Sequence, residues 1–188
     1  MKVSLFQADI TNKEIKEVLG VLKSKRLAIG PKMKELEEAV VNYVGVKYAV
    51  PVSSGTSALH LIIRALGIKD GDEVITSPFS FISSANCILF ERAKPVFVDV
   101  KPDTLNINPL LVEELITSKT KALLVPDMFA HPADWDILQK IAKKHNIFLI
   151  EDSAESLGSE YLSRHQSFGS RGKWKKCGTF GDVSIIAF

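Results

Sequence analysis

The chain has 188 residues, 46% of them hydrophobic, with 24 basic and 22 acidic side chains and a net charge of +2. That length and apolar content suit one compact domain with a sizeable core, and the near balance of charge excludes a global attraction to nucleic acid or to a membrane surface. Two distant cysteines, Cys87 and Cys177, and four histidines without ligand spacing give neither a disulfide framework nor a metal site; no apolar run reaches bilayer length and residues 1–9 lack a signal-peptide core, so a cytoplasmic location is expected.

Thr11-Asn12-Lys13-Glu14 has the capping-box pattern ahead of Ile15, Val18, Leu19 and Leu22, which predicts a helix to about Ser24. Residues 25–30 read as a loop, and Pro31 opens a second helix carrying Met33, Leu36, Val40 and Tyr43. The apolar run 48–52 reads as a short buried strand. It stops at Ser53-Ser54-Gly55-Thr56-Ser57, and a helix follows on Ala58, Leu59, Ile62, Ile63 and Leu66, closed by Gly67. Further strands are expected at 73–76, 95–100, 122–125, 147–150 and 183–188, with helices at 81–90, 109–116 and 135–144. Short apolar strands alternating with helices predict an α/β fold, a mostly parallel sheet with helices on both faces. In such sheets ligands sit at the carboxyl ends of strands, where the turns 53–57, 77–81, 127–131 and 152–155 all fall. Between Leu162 and Lys176 lie five cations and no acid, either a solvated loop or an electrostatic aid to an anionic substrate. Residues 156–159 and 167–170 share a short echo, Ser-Leu-Gly-Ser and Ser-Phe-Gly-Ser.

A strand, a small-residue turn and a helix N-terminus form an anion site, because bare N–H groups and the helix dipole point at whatever sits there. Gly55, Thr56 and Ser57 could cradle a phosphate; they could equally be an ordinary Ser/Thr cap. Asp152 follows the apolar strand 147–150, and a carboxylate there needs a cation or donors. The protonated ring nitrogen of pyridoxal 5'-phosphate (PLP) is one such partner; capping the next turn is the plain alternative. Phe81 could lie flat on a pyridine ring or belong to the core.

Taken in order, these pieces resemble the DegT/DnrJ/EryC1/StrS family of sugar aminotransferases. The likeness runs through Ser53-Ser54-Gly55-Thr56-Ser57-Ala58-Leu59-His60-Leu61, Ser80-Phe81-Ile82-Ser83-Ser84-Ala85-Asn86, Lys94-Pro95-Val96-Phe97-Val98-Asp99-Val100, Ile150-Glu151-Asp152-Ser153-Ala154-Glu155-Ser156-Leu157-Gly158-Ser159 and Gly178-Thr179-Phe180-Gly181-Asp182. It implies the large PLP domain of the aspartate-aminotransferase fold (fold type I), incomplete here. Residues 1–45 would form an N-terminal arm and helices, and residues 46–188 the cofactor-binding part of a single domain. The family's small domain and Schiff-base lysine would lie beyond Phe188, leaving no catalytic lysine in this chain and making it inactive alone. It also implies that Gly55, Thr56 and Ser57 hold the cofactor phosphate, that Phe81 stacks on the ring, that Asp152 pairs with the ring nitrogen, and that Glu155 takes the place of a Gln or His near the ring hydroxyl. The run 151–159 looks most like perosamine-synthase-type enzymes that make 4-amino sugars.

The implied reaction transfers an amino group from an amino-acid donor, glutamate by resemblance, to a keto sugar nucleotide, in a homodimer serving polysaccharide or amino-sugar biosynthesis. Two other readings stay open: a PLP-dependent sugar dehydratase, with His in place of the lysine, or a non-catalytic PLP-binding remnant or pseudogene product. Two departures stand out. Ala187 replaces the family's phosphate-binding serine, and residues 161–176 carry about a dozen more residues than the family's short hairpin, as an order-of-magnitude comparison of turn lengths.

Overall fold

The computed structural model describes residues 8–164 and 172–188. Five parallel strands form its sheet, in the order β2-β1-β3-β4-β7. These are β1 (Glu73–Thr76), β2 (Lys94–Phe97), β3 (Thr120–Pro126), β4 (Phe148–Asp152) and β7 (Val183–Ile185). The helices between them are α3 (Gly55–Ala65), α4 (Ser83–Phe90), α5 (Pro109–Val112) and α6 (Trp135–His145), preceded by α1 (Asn12–Ser24) and α2 (Pro31–Val40).

Strand side chains alternate between faces, and here both faces are covered. Val74, Ala122, Leu124, Ile150 and Ile185 pack with Leu59 and Ile63 of α3 and Cys87 and Ile88 of α4. Ile75, Leu123, Val125 and Leu149 pack on the other side with Trp135, Leu138 and Ile141 of α6. Most of these side chains are fully buried, each contributing about 1.5–3 kcal/mol of transfer free energy. The α/β class with helices on both faces is therefore the observed one.

The capping box at Thr11 forms as expected, with the Thr11 N–H donating to Glu14 Oε2 at 2.7 Å. Neither α1 nor α2 buries a side chain, and Ile15, Val18, Leu19 and Leu22 lie exposed.

Several boundaries move. Residues 48–52 are not a strand, and Tyr48 and Val50 are exposed. The segment has the composition of a strand, but a strand needs a ladder, and among the described residues this one has no partner. The strand expected at 95–100 ends at Phe97, and Val100 makes only an isolated bridge to Ile107. Helix α4 starts at Ser83 rather than 81, β4 runs on through Glu151 and Asp152, and β7 stops at Ile185. The basic stretch is not a plain loop: β5 (Glu160–Ser163) and β6 (Lys173–Lys176) pair antiparallel. Lys176 is half-buried; its ammonium donates to the Tyr43 carbonyl at 2.6 Å and sits over the Tyr43 ring. Arg171 and the echo at 167–170 lie outside the described residues.

Candidate functional site

The end of β7 borders the N-terminus of α3, on the strand-end edge where ligands sit in parallel sheets. Ser54 caps this helix, its Oγ accepting from Ser57 N–H at 3.1 Å, while Ser57 Oγ lies 3.0 Å from Ser54 Oγ and 3.2 Å from Ser53 Oγ. The N–H groups of Gly55 and Thr56 have no intrahelical acceptor by their position in the first turn. A Cβ on Gly55 would stand 3.5 Å from Ala187 Cβ and 3.6 Å from Ile185 Cδ1. The cradle therefore borders the end of β7, and glycine keeps that border open.

Asp152 closes β4 on the face covered by α3 and α4, 7% exposed. Its Oδ1 accepts from Ala154 N–H at 3.2 Å. Burial pushes its pKa up to about 6, the nearby Glu155 charge adds to the rise, and the Ala154 N–H and Ser84 hydroxyl oppose it. Cys87, also beneath this site, is pushed up to about 12 by burial and by the Asp152 charge. Thr76, fully buried at the end of β1, leaves its hydroxyl without a partner among the described residues. The strand-end edge of this otherwise apolar face is polar and under-supplied with donors, which is the environment in which a buried carboxylate takes up a cationic partner.

Glu151, one residue earlier, turns to the opposite face and is fully buried. It accepts from Gly178 N–H (2.5 Å), Phe180 N–H (2.7 Å), Gly181 N–H (3.1 Å) and Ser153 Oγ (3.0 Å). Asp127, at the end of β3, accepts from Ala133 N–H and Ser156 Oγ, both at 2.8 Å. Burial pushes Asp127 up to about 7, with the neighbouring Glu151 charge adding to the rise. Ligand atoms of Asp127, Glu151 and Cys177 lie within 4.8 Å of one another, but the two carboxylates are already engaged by these six donors. The cluster is a brace: with Asp182, which accepts from Leu149 N–H at 2.8 Å, it docks the turn 178–182 on β4 and sets β7 beside Asp152. Gly181 is indispensable to that docking, since a Cβ there would stand 2.6 Å from the Val183 carbonyl oxygen and 2.8 Å from that of Leu149.

Phe81 stands exposed ahead of α4, three residues before Ser84. Glu155 is exposed, and its Oε2 accepts from Phe129 N–H at 2.7 Å. Gly55, Thr56 and Ser57 thus open α3 beside the end of β7, Asp152 closes β4, Phe81 stands exposed ahead of α4, and Glu155 is directed toward the turn after β3. Sequence reasoning marked the turn 127–131 but missed Asp127 and Glu151 as bracing residues. An acid at the end of an apolar strand, the signal that singled out Asp152, also applies to Asp127.

A profile of the DegT/DnrJ/EryC1/StrS aminotransferase family matches residues 8–188. The chain is 39% identical over 158 residues to UDP-2-acetamido-2-deoxy-3-oxo-D-glucuronate aminotransferase of Pseudomonas aeruginosa, covering 84% of this chain and 44% of that protein. It is 37% identical over 187 residues to GDP-perosamine synthase of Escherichia coli O157:H7, covering 99% and 48%. A candidate sugar aminotransferase of Streptococcus pneumoniae, solved in its PLP form, superposes with a TM-score of 0.85 at 31% identity, covering 96% of this chain and 47% of that one. The chain spans a little under half the length of these curated relatives. It belongs to the DegT/DnrJ/EryC1/StrS aminotransferase family, and its fold is that of the fold type I aminotransferases.

Proposed function

We propose that this member of the family forms the cofactor-binding part of a PLP-dependent aminotransferase that moves an amino group from an amino-acid donor, glutamate by resemblance, to a keto sugar carried on a nucleotide. The observation that carries the reading is Asp152: a buried carboxylate with a single backbone donor, at a sheet edge that also presents bare helix N–H groups. PLP, when bound, supplies an electron sink whose ring nitrogen must stay protonated. Asp152 would hold that proton. The N–H groups of Gly55 and Thr56 and the Ser57 hydroxyl would take the phosphate, and Phe81 would cover one face of the ring and exclude water from it. The substrate class is supported by the nucleotide sugars in the names of the two relatives; a cytoplasmic homodimer is the family-based expectation for the whole enzyme.

Titrating the whole protein that carries this chain with PLP tests the reading. A visible absorbance band should appear with saturable binding, and glutamate should change it. Asp152→Ala should weaken binding by about 100-fold or more, the loss of one buried charge-assisted partner. No band with the native protein would overturn the reading, and a band indifferent to every amino donor would favour the dehydratase alternative.

A further inference from the structure

The turn after β3 carries a cost that its packing does not explain. Phe129 adopts φ 53°, ψ 41°, and Ala130 follows at φ 60°, two successive left-handed residues, neither of them glycine. For a bulky side chain this is a rare conformation that persists only where its surroundings impose it, and such strain concentrates at ligand sites. Here four hydrogen bonds impose it. Buried Asn106 accepts from Met128 N–H at 2.9 Å and donates to the His131 carbonyl at 2.8 Å. Ser159 Oγ donates to the Ala130 carbonyl at 2.8 Å, and Glu155 accepts from Phe129 N–H at 2.7 Å.

What this scaffold presents is an aromatic ring to solvent: Phe129 is 66% exposed. Its ring lies 6.1 Å from that of Phe79, which follows β1 and is also exposed. Because β3 lies between β1 and β4, the pair spans the strand ends next to the one that carries Asp152. A strained turn held by two separate segments to display an aromatic ring at the mouth of a polar site has the form of a ligand wall. The C–H face of a sugar ring suits it: apolar, flat, and able to leave its hydroxyls turned to the polar side.

We propose that Phe129, with Phe79, forms the wall against which the sugar ring of the substrate lies, and that Glu155 is a positioning residue that sets Phe129 through its N–H. This rests on the aminotransferase reading and deepens it. The test uses the whole enzyme with glutamate, and with two sugar nucleotides: UDP-2-acetamido-2-deoxy-3-oxo-D-glucuronate in the forward direction and GDP-perosamine in reverse and in calorimetric binding. Phe129→Ala should raise KM for the sugar by about tenfold or more and weaken its binding in parallel. The glutamate half-reaction should be unchanged, and Phe129→Leu should recover part of the loss. Glu155→Ala should speed hydrogen exchange of the Phe129 amide and raise the same KM, with Glu155→Gln restoring both. Unchanged sugar binding in Phe129→Ala, an equal loss in the glutamate half-reaction, or a changed oligomeric state in place of a changed KM would each overturn the wall. Native exchange in Glu155→Ala would overturn the positioning role. If the native enzyme shows no glutamate half-reaction, the aminotransferase reading fails first and takes this inference with it; a glutamate half-reaction with binding of neither sugar overturns the wall alone.

Discussion

On the sheet face covered by α6, Asp127 and Glu151 share six donors, four of them backbone N–H groups, one from the turn after β3 and three from the turn 178–182. On the face covered by α3 and α4, Asp152 has one backbone donor and the Ser84 hydroxyl, and Thr76 has no partner among the described residues. The three carboxylates occupy neighbouring strands at the same edge and are all buried. What separates them is supply. A carboxylate whose acceptors are filled builds structure; one left short of donors is available to a ligand.

Exchanging these roles by mutation tests the distinction, and the largest effect is expected at Glu151. Glu151→Ala leaves three buried N–H groups and a hydroxyl unpaired and should cost about 3–5 kcal/mol in urea unfolding. Asp152→Asn should cost less than about 1 kcal/mol while weakening PLP binding by about tenfold or more. Equal stability losses at the two positions would erase the difference between the faces.

The pH dependence follows next. Asp127 and Asp152 are held near 7 and 6 in the folded protein, above the ordinary aspartate value of about 3.9. The folded state therefore keeps protons that the unfolded chain has released. Their contribution is fully present below about pH 4 and is lost as pH rises through 6 and then 7. Melting temperature should fall over that window, and Asp127→Asn should flatten its upper part; a slope unchanged in that variant would refute the assignment.

A smaller effect is expected at the cradle. Ala187→Ser puts a hydroxyl beside Gly55 and should tighten phosphate-dependent PLP binding by about three- to tenfold, the worth of one hydrogen bond; weaker binding would mean that the cradle has no room for it. Thr76→Val should be the mildest change, neutral or stabilising by up to about 1 kcal/mol, because it removes a buried hydroxyl that bonds to nothing. A clear loss in thermal unfolding would show that the hydroxyl is in use.

The strands were legible wherever an apolar run met the sheet, and the cap at Thr11 and the Ser53–Ser57 turn were legible because their partners lie within a few residues. The run 48–52 misled for the converse reason: composition favours a strand, but pairing is decided by segments distant in the chain. The same distance hid the braces. Glu151 finds its backbone donors 27–30 residues downstream, and the turn 128–130 owes its conformation to bonds with residues 22–29 positions away. Asp152 could be read because an acid at the end of an apolar strand is anomalous in itself. Glu151 sits in the same run, but its burial face depends on where β4 stops, which local pattern does not specify.

The brace at Glu151 also bears on how this part of the molecule can vary. The Cys177 N–H donates to the Ser159 carbonyl at 2.9 Å, and Glu151 and Leu149 hold the turn beyond it. The β5–β6 hairpin is thereby tied off at its base, and the register of β7 is set by β4 and the turn 178–182 rather than by the hairpin. Substitutions on β5 and β6 should therefore be carried at little cost to the strand that completes the cradle.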